Sequence, residues 1–566
     1  MPATIAERRD ELRRRFPAWT PCTLDQRLDR AAAEFPDRDY VVTDSAKCTY
    51  RDIKIWSERI AAGLVEMGVR RGDHVAVVLA NFPEFVAVKY AIARVGAICV
   101  PINFLNRRDE LGYVLRQSDA ALLITMDRFR GLDYLRALDE LAPHWERNGG
   151  GQAFPRLKRV VVFPTSGEAV RPGAASLAEL GATKGTFAGV ADPDPQSICD
   201  IIYTSGTTGS PKGVMLTHDM VLRAAFGSVY SRAFDDAWRL AFSLPMHHVY
   251  GYVEGVLTVP FVGGAVIPQL QFDPAATLRA IEAHGADDIL LVPTMTLALL
   301  DELRARTYEL PTLRAVLSSG QRSPSSIWRD IFDLMHPAEL TTGYGMTEVT
   351  ATTTLTLPDD TFTHLSTTNG RMRDVGPAGD AAMGRRLVDY RVVDPETGSV
   401  LGPGQVGELM AKGPGVTSGY YNKPDETAEA FDSEGWLHTG DLGRFDEEGY
   451  LTLVGRRKES YRCGGEQVMP TEIEDVLASH PAVLQAHVVP VPDKRMGEAG
   501  AAFVVLRAAP AVTPEDLVAL CADRLARFKV PKYVLPIRAE DLPTTPSGRA
   551  RKFLLTQRAV EALGLS

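Results

Sequence analysis

The stretch that decides the fold is "IIYTSGTTGSPKGVMLTH", residues 201–218. An apolar run typical of a buried strand leads straight into a loop rich in Gly, Ser and Thr, and Lys212 follows that loop. Glycines let backbone N–H groups turn towards an anion, hydroxyls add donors, and the lysine adds a full positive charge. The stretch therefore predicts a phosphate-binding loop at the carboxyl end of a strand in an α/β protein.

This loop differs from the Walker A loop. Pro211 stands between Gly209 and Lys212, so the spacing GxxxxGK[ST] fails, and Gly213 occupies the place of the hydroxyl that binds magnesium. Such a composition also occurs in flexible surface loops, but the buried strand before it and the single lysine favour phosphate binding. The residues expected to contact phosphate are Thr204, Ser205, Gly206, Thr207, Thr208, Gly209 and Lys212.

Much of the remaining chain alternates short apolar runs with amphipathic stretches. The amphipathic stretches 82–96 and 107–120 are typical of helices. Because such alternation forms βαβ units, it predicts α/β architecture with doubly wound, mostly parallel sheets and helices on both faces. The runs typical of strands are 74–80, 97–101, 121–126, 198–204, 239–245, 287–293 and 313–320.

The texture of the sequence changes twice after this region. Past residue 380 the strands become shorter and turns more frequent, which predicts a β-rich subdomain, and from about Lys458 a small α+β unit follows. A chain of 566 residues also exceeds what one hydrophobic core usually supports. Segments 144–155 and 165–185, rich in Gly, Pro and small polar residues, are predicted to be surface loops.

Composition excludes several classes of function. The formal net charge of −10 argues against a general nucleic-acid or anionic-membrane binder, since both need a positive field. The six cysteines are scattered, without a CxxC or Cys/His cluster, which argues against a disulfide framework or a zinc site. We find neither an apolar run long enough for a bilayer nor the apolar core of a signal peptide, and therefore expect a cytoplasmic protein.

At least six segments, in order, resemble motifs of the adenylate-forming superfamily, which includes acyl-CoA synthetases, adenylation domains of nonribosomal peptide synthetases and beetle luciferases. The resemblance extends from "RRGDHVAVVLANFPEF" (70–85) to "PSGRARKFLL" (546–555), and residues 201–218 carry its phosphate loop. It implies an N-terminal adenylation domain over 1–457 and a mobile C-terminal domain over 458–566.

The resemblance also implies a two-step reaction. A carboxylic acid attacks the α-phosphate of ATP, with Mg²⁺ as cofactor, and forms an acyl adenylate as pyrophosphate leaves. A thiol, of coenzyme A or of an acyl carrier protein, then displaces AMP while the C-terminal domain rotates between two poses. Lys212 and the phosphate loop would neutralise the charge that develops in the first step.

Two motifs are expected to hold the nucleotide. In "TTGYGMTEVT" (341–350), the resemblance places Tyr344 on adenine, Thr347 on an α-phosphate oxygen, Gly345 beside the substrate pocket and Glu348 on Mg²⁺. A carboxylate next to phosphates is a sensible ligand for a hard cation. In 435–459, Asp441 and Arg456 would bind the ribose hydroxyls and Lys458 would be the hinge of the C-terminal domain.

Three further motifs concern the acid and the thiol. In "SLPMHHVYGY" (243–252), His248 matches the family and His247 stands where Phe is common; either can contact a substrate carboxylate or simply pack. In 313–323, Gly320 matches, whereas Gln321 and Arg322 depart from the family and predict a more polar pocket wall. In 461–474, Gly464 and Gly465 would leave room for the pantetheine arm, and Cys463 is expected to be a small apolar filler.

The last motif contains the largest departure. Arg549 stands where the family has a lysine that meets ATP, and Lys552 matches a second basic position. Three interpretations stay open: Arg549 replaces the lysine, Lys552 swings in, or this contact matters less here.

Other functions also stay open. They are the loading of a carrier protein, the activation of nitrite for attack by an aryl amine, and nucleotide binding with impaired catalysis. The intact Lys212, Thr347 and Glu348 argue against the last of these.

Overall fold

The structure is a computed structural model that describes residues 3–204, 210–320, 325–464, 466–507, 511–545 and 550–565. Its first seven-stranded sheet is parallel except for one antiparallel edge strand, Lys47–Thr49. The strand order across this sheet is Glu339–Thr341, Ala315–Ser318, Asp288–Leu291, Arg239–Phe242, Ala265–Pro268, Asp39–Val42 and Lys47–Thr49.

The second seven-stranded sheet contains the strand that precedes the predicted phosphate loop. That strand pairs antiparallel with the edge strand Lys212–Thr217, and the register sets Thr204 opposite Lys212. The two ends of the loop are therefore neighbours. The strand order is Lys212–Thr217, Ile198–Thr204, Ile98–Pro101, His74–Val78, Leu122–Met126, Arg159–Phe163 and Ala175–Ser176.

Helices cover both sheets, as the alternating pattern predicts. The helix His218–Ser231 directly follows the edge strand of the second sheet, and Thr217 caps it by accepting a hydrogen bond from the Met220 N–H group. The other α-helices of this part are Ile5–Arg15, Leu24–Glu34, Tyr50–Glu66, Pro83–Val95, Arg108–Gln117, Tyr134–Leu141, Trp145–Asn148, Leu177–Gly181, Val249–Gly251, Pro274–His284, Pro293–Ala305, Ser325–Met335, Phe362–Thr367 and Pro424–Ala430.

Two antiparallel sheets follow the parallel ones. A three-stranded sheet holds Gly343–Met346, Ala351–Leu355 and Arg371–Met372. A four-stranded sheet holds Asp389–Val393, Gly407–Lys412, Leu437–Phe445 and Leu451–Arg456. The β-rich region expected past residue 380 is thus confirmed.

The last part of the chain has a sheet and hydrophobic clusters of its own. Its strands are Glu466–Val468, Tyr461–Cys463, Gly497–Leu506, Val483–Asp493 and Tyr533–Pro536. Its α-helices are Pro470–Ala478, Pro514–Arg524 and Lys552–Leu563. The predicted fold class, doubly wound α/β sheets with a β-rich part and a small α+β part, is confirmed.

The two predicted surface loops are wrong in part. Segment 144–155 contains the helix Trp145–Asn148, in which the Trp145 ring is 1% exposed and its Nε1 donates to Asp139 Oδ1 over 2.9 Å. Segment 165–185 contains the helix Leu177–Gly181, which buries Leu177. A few large apolar side chains anchor these segments in the core. In the sequence these few residues are outnumbered by Gly, Pro and small polar residues, so no helical pattern is evident.

Lys458 lies in a short 3₁₀ turn, Arg457–Glu459, between the four-stranded sheet and the last sheet. Its side chain is exposed. Within the described ranges, no helix is both long and apolar enough to cross a membrane.

Candidate active site

The phosphate end of the candidate site is bounded by the two arms of the 201–218 hairpin. Thr204 closes the first arm, where its Oγ1 donates to the Lys212 carbonyl oxygen over 3.5 Å. Lys212 opens the second arm, and its Nζ lies 4.7 Å from the centre of the Tyr420 ring. The predicted contacts Ser205, Gly206, Thr207, Thr208 and Gly209 lie outside the described residues.

Thr347 and Glu348 form a 3₁₀ turn, Thr347–Val349, between two strands of the three-stranded sheet, and both are buried. The Glu348 Oε1 accepts a hydrogen bond from the Tyr420 hydroxyl over 3.1 Å. Burial raises the pKa of the Glu348 carboxyl group, and the hydrogen bond from Tyr420 opposes that effect. A carboxylate held this way suits a hard cation that is also bound by phosphate oxygens.

Tyr344, Asp441 and Arg456 form the end of the candidate site where the nucleoside is predicted to bind, here called the nucleoside end. The Tyr344 hydroxyl donates to Asp441 Oδ2 over 2.7 Å, and Arg456 Nε lies 2.8 Å from Asp441 Oδ1. Asp441 and Arg456 face each other across adjacent strands of the four-stranded sheet. This strand pairing brings the side chains of Asp441 and Arg456, 15 positions apart in sequence, into contact.

The nucleoside end and the phosphate end belong to one cluster. The charges of Arg456 and Asp441 both act on the pKa of Glu348, the first lowering it and the second raising it. Tyr344 lies four residues before Glu348, on the strand Gly343–Met346. Five residues from three separate segments thus converge, namely Lys212, Tyr344, Glu348, Asp441 and Arg456.

Gly345 has a structural reason of its own. A Cβ atom at this position would lie 1.8 Å from the Ala351 carbonyl oxygen of the paired strand. The close approach of the two strands therefore excludes any side chain. Whether Gly345 also borders a substrate stays a prediction.

Gly320 comes two residues after the end of the strand Ala315–Ser318 and has a φ of +101°, a backbone conformation that favours glycine. The neighbouring Ser319 hydroxyl donates to the Gly343 carbonyl oxygen over 2.6 Å, which ties this loop to the three-stranded sheet. Gln321 and Arg322 lie outside the described residues.

The two histidines occupy different environments. His248 caps the short helix Val249–Gly251, because its Nδ1 accepts from the Tyr250 N–H group over 3.2 Å. His247 is buried with its ring edge-on to Phe104 at 5.2 Å, and its Nδ1 has no hydrogen-bond partner within the described part of the chain. Asn81 fixes the segment before them by accepting from the Met246 N–H group over 2.9 Å.

Burial keeps both histidines neutral. Desolvation lowers the pKa of His248 to about 4, and desolvation together with the nearby His248 lowers that of His247 to about 3. Neither side chain therefore supplies a positive charge at neutral pH. In the described ranges no three His, Cys, Asp or Glu side chains are grouped so that they could hold a metal ion without substrate.

We expect the protein to lose stability as the pH falls below 6.5. The unfolded chain protonates His247 near pH 6.5, whereas the folded chain resists protonation down to about pH 3, so acid favours unfolding. Replacing His247 by Gln should reduce the pH dependence of the free energy of unfolding by up to about 1.4 kcal/mol per pH unit between pH 6 and 4. Urea unfolding at several pH values measures this, and His336→Gln, at an exposed position, is the matched control. Identical slopes for His247→Gln and the parent would contradict the expectation.

The loop predicted to approach the thiol begins in the last sheet. Gly464 has a φ of +63°, and its N–H group donates to the Met496 carbonyl oxygen over 2.8 Å. Cys463 is buried in the core of this sheet, and burial raises the pKa of its thiol, as expected of a filler. Gly465 lies outside the described residues.

Lys552 begins the last helix and is already paired. Its Nζ lies 2.8 Å from Glu474 Oε1 and 3.3 Å from Glu459 Oε2. Burial favours the neutral amine, but the two carboxylates outweigh it and raise the pKa of Lys552. Arg549 lies outside the described residues; Thr544 and Ala550, described residues on either side of this part of the sequence, form an antiparallel bridge.

Sequence reasoning missed Tyr420, which contacts both Lys212 and Glu348. It lies in "SGYYNKPDET" (418–427), after a glycine with a φ of +137°. Two adjacent tyrosines after a glycine are a weak signal, and only the pairing of this segment with the strand Lys212–Thr217 reveals their relevance.

Comparison with known families agrees with this arrangement. The profile of AMP-binding enzymes matches residues 28–421, and that of the AMP-binding enzyme C-terminal domain matches residues 472–549. The chain is 36% identical over 553 residues to YngI of Bacillus subtilis, covering 96% of this chain and 98% of that protein. It is 31% identical over 536 residues to a Mycobacterium tuberculosis ligase, named 3-[(3aS,4S,7aS)-7a-methyl-1,5-dioxo-octahydro-1H-inden-4-yl]propanoyl:CoA ligase, covering 94% and 97%.

Solved structures give the same result. The ATP-bound MatB from Rhodopseudomonas palustris superposes with a TM-score of 0.81 at 26% identity, covering 95% of this chain and 99% of that one. A family profile that matches well over half of the chain, together with relatives of full length, settles the relationship. The chain belongs to the AMP-binding enzymes of the adenylate-forming superfamily.

Proposed function

We propose that this protein joins a carboxylic acid to coenzyme A in two steps, through an acyl adenylate, with release of pyrophosphate and AMP. The observation that carries this proposal is the convergence of Lys212, Tyr344, Glu348, Asp441 and Arg456 in one cluster. A cation and a buried carboxylate at one end suit phosphates and their cation. An aromatic ring beside a paired carboxylate and guanidinium suits a nucleoside.

In the first step, a carboxylate oxygen of the acid forms a bond to the α-phosphorus of ATP, and the bond to the pyrophosphate oxygen breaks. Lys212 and Thr347 lie at the phosphate end, where they would stabilise the developing charge. Mg²⁺, held by Glu348 and phosphate oxygens, would neutralise further negative charge. Asp441 would orient the ribose, and Tyr344 the adenine.

The acid we propose is a monocarboxylic acid with an apolar body. The predicted acyl side contains the buried His247 ring against Phe104, and both histidines are neutral there. Since a second carboxylate would need a partner charge when buried, the neutral walls that the described residues form disfavour dicarboxylic acids. Gln321 and Arg322, the predicted polar part of the wall, lie outside the described residues. The mitochondrial medium-chain acyl-CoA ligase of Danio rerio, 30% identical over 560 residues, has a name that fits this class.

In the second step, the thiol attacks the acyl carbonyl carbon, and AMP leaves with the electrons of the acyl–phosphate bond. We place the pivot of the C-terminal domain, residues 458–566, at Lys458, which lies in the turn between the last two sheets. The backbone at Gly464 and Gly465 would pass beside the pantetheine arm. Coenzyme A is preferred here over a carrier protein because relatives along the full length are CoA ligases by name.

Release of pyrophosphate from ATP tests the proposal. The purified protein is incubated with Mg²⁺, ATP and a panel of acids that includes medium-chain fatty acids, aryl acids, malonate and nitrite, with and without coenzyme A. We expect monocarboxylic acids with apolar bodies to release pyrophosphate, and coenzyme A to yield a thioester. Turnover with malonate above the fatty acids would contradict the substrate class. Absence of pyrophosphate with every acid would contradict the function.

A further inference from the structure

Lys212 and Glu348 carry opposite charges at the same end of the candidate site, and no ion pair joins either of them to another described residue. One side chain, Tyr420, contacts both. Lys212 Nζ lies over the face of its ring at 4.7 Å, and its hydroxyl donates to Glu348 Oε1 over 3.1 Å. The Lys212 ammonium group thus contacts the ring of Tyr420, and the Glu348 carboxylate accepts from its hydroxyl, although the two charged groups would attract each other.

The position of Tyr420 is fixed by its backbone. Tyr420 bridges to Val214 of the strand that Lys212 begins, and its N–H group donates to the Thr427 hydroxyl over 3.0 Å. On the next residue, the N–H group donates to the Gly213 carbonyl oxygen over 2.8 Å. Tyr420 is itself 9% exposed. These contacts fix the backbone of Tyr420, and its buried side chain makes the two contacts with Lys212 and Glu348 from that fixed position.

The chemistry of the phenol suits a temporary partner for both charges. The face of an aromatic ring attracts an ammonium group by about 0.5–2 kcal/mol, less than a direct bond to phosphate. The hydroxyl donates to the carboxylate without neutralising it. A direct contact between the half-buried Lys212 and the buried Glu348 would be stronger than the contact with the ring, and nucleotide binding would have to break it.

We propose that Tyr420 is a positioning residue that keeps Lys212 and Glu348 apart before nucleotide binds. Its ring keeps the Lys212 ammonium available for phosphate, and its hydroxyl orients the Glu348 carboxylate towards the cation that accompanies ATP. This inference rests on the proposed function, since it assigns phosphate to Lys212 and a cation to Glu348. It concerns the nucleotide-free protein, so binding can test it without turnover.

The test measures the affinity for α,β-methylene-ATP, which cannot release pyrophosphate, with and without Mg²⁺. Tyr420→Phe keeps the ring and removes the hydroxyl. We expect its affinity without Mg²⁺ to stay within about 2-fold of the parent, and the gain in affinity from Mg²⁺ to fall about 10-fold, as is typical when a group that orients a metal ligand is lost. Tyr420→Leu removes the ring as well, so its affinity without Mg²⁺ should also fall about 10-fold once Lys212 is free to reach Glu348.

Tyr421→Phe is the matched control. The Tyr421 hydroxyl donates to Asp119, and its ring lies against His74, so this variant removes a similar hydrogen bond elsewhere. We expect it to match the parent in both measurements. If Mg²⁺ raised the affinity of Tyr420→Phe for the analogue as much as that of the parent, the role of the hydroxyl would be overturned. Equal affinities of Tyr420→Leu and Tyr420→Phe without Mg²⁺ would overturn the role of the ring.

Thermal unfolding shows whether each variant is folded. If Tyr420→Leu is not folded, Tyr420→Phe decides the role of the hydroxyl, and Tyr420→Met, which also lacks the ring, takes the place of Tyr420→Leu. The outcomes also separate this inference from the proposed function. A parent protein that binds the nucleotide while Tyr420→Phe behaves identically overturns the inference only. A parent that binds no nucleotide overturns both.

Discussion

Replacing Arg549 by Ala is expected to slow adenylate formation by about 100- to 1,000-fold, as the loss of a single group that stabilises transition-state charge does in other enzymes. Thioester formation from preformed adenylate should change by less than about 3-fold, because the pentavalent phosphorus of the first step is absent from the second. Single-turnover assays of the two half-reactions measure each rate separately. The assignment of Arg549 comes from the family motif in "PSGRARKFLL", in which a lysine is usual.

Arg549→Lys is the informative control for that prediction. It restores the usual residue, and we expect adenylate formation at least as fast as in the parent, since an ammonium group is more compact than a guanidinium group. Equal first-step rates for Arg549→Ala and the parent would contradict the assignment. If Lys552→Met abolished adenylate formation instead, Lys552 would be the cation. Its contacts with Glu474 and Glu459 argue against that, because both would have to break.

Replacing Asp441 by Asn is expected to raise the KM for ATP by about 10- to 100-fold, since a hydrogen bond to a charged group contributes about 1.5–3 kcal/mol. The amide keeps the shape of the carboxylate but removes the charge that faces Arg456 and halves the acceptor sites offered to Tyr344 and to ribose. Because the nucleoside is bound alike before and during the reaction, kcat should change much less than KM.

Initial rates of pyrophosphate release over a range of ATP concentrations measure both constants for Asp441→Asn. Glu434→Gln is the matched control, because this exposed carboxylate pairs with Arg391 on the same sheet. We expect it to leave the KM for ATP unchanged. An Asp441→Asn variant with an unchanged KM for ATP would contradict the assignment of the ribose to Asp441.

The fold was largely predictable because its signal is periodic. Buried strands such as His74–Val78 and Ile98–Pro101 are predominantly apolar runs, and amphipathic helices separate the strands. A parallel sheet leaves this pattern in any sequence. The helix around Trp145 was not predictable in the same way, because one large side chain among glycines and polar residues has no period.

The candidate site was predictable only in part. The loop around Lys212 can be inferred from its own chemistry. Tyr344 and Asp441 are far apart in sequence, and only the family resemblance predicts that both lie at the nucleoside, where the structure brings them into contact. Tyr420 was missed because nothing in its local sequence indicates that it lies between two charges. Its position depends on strand pairing with Val214, which no spacing rule encodes.

The short turn Arg457–Glu459 has a practical consequence for protein engineering. Arg457 pairs with Glu408, earlier in the sequence, over 3.2 Å and donates to the Pro395 carbonyl oxygen. Glu459 pairs with Lys552, later in the sequence. Lys458 alone separates the two sets of contacts. A chimera that takes its N-terminal part from one homologue and its C-terminal part from another, joined at Lys458, would inherit each ion pair whole from a single parent. A junction a few residues to either side would divide one of them.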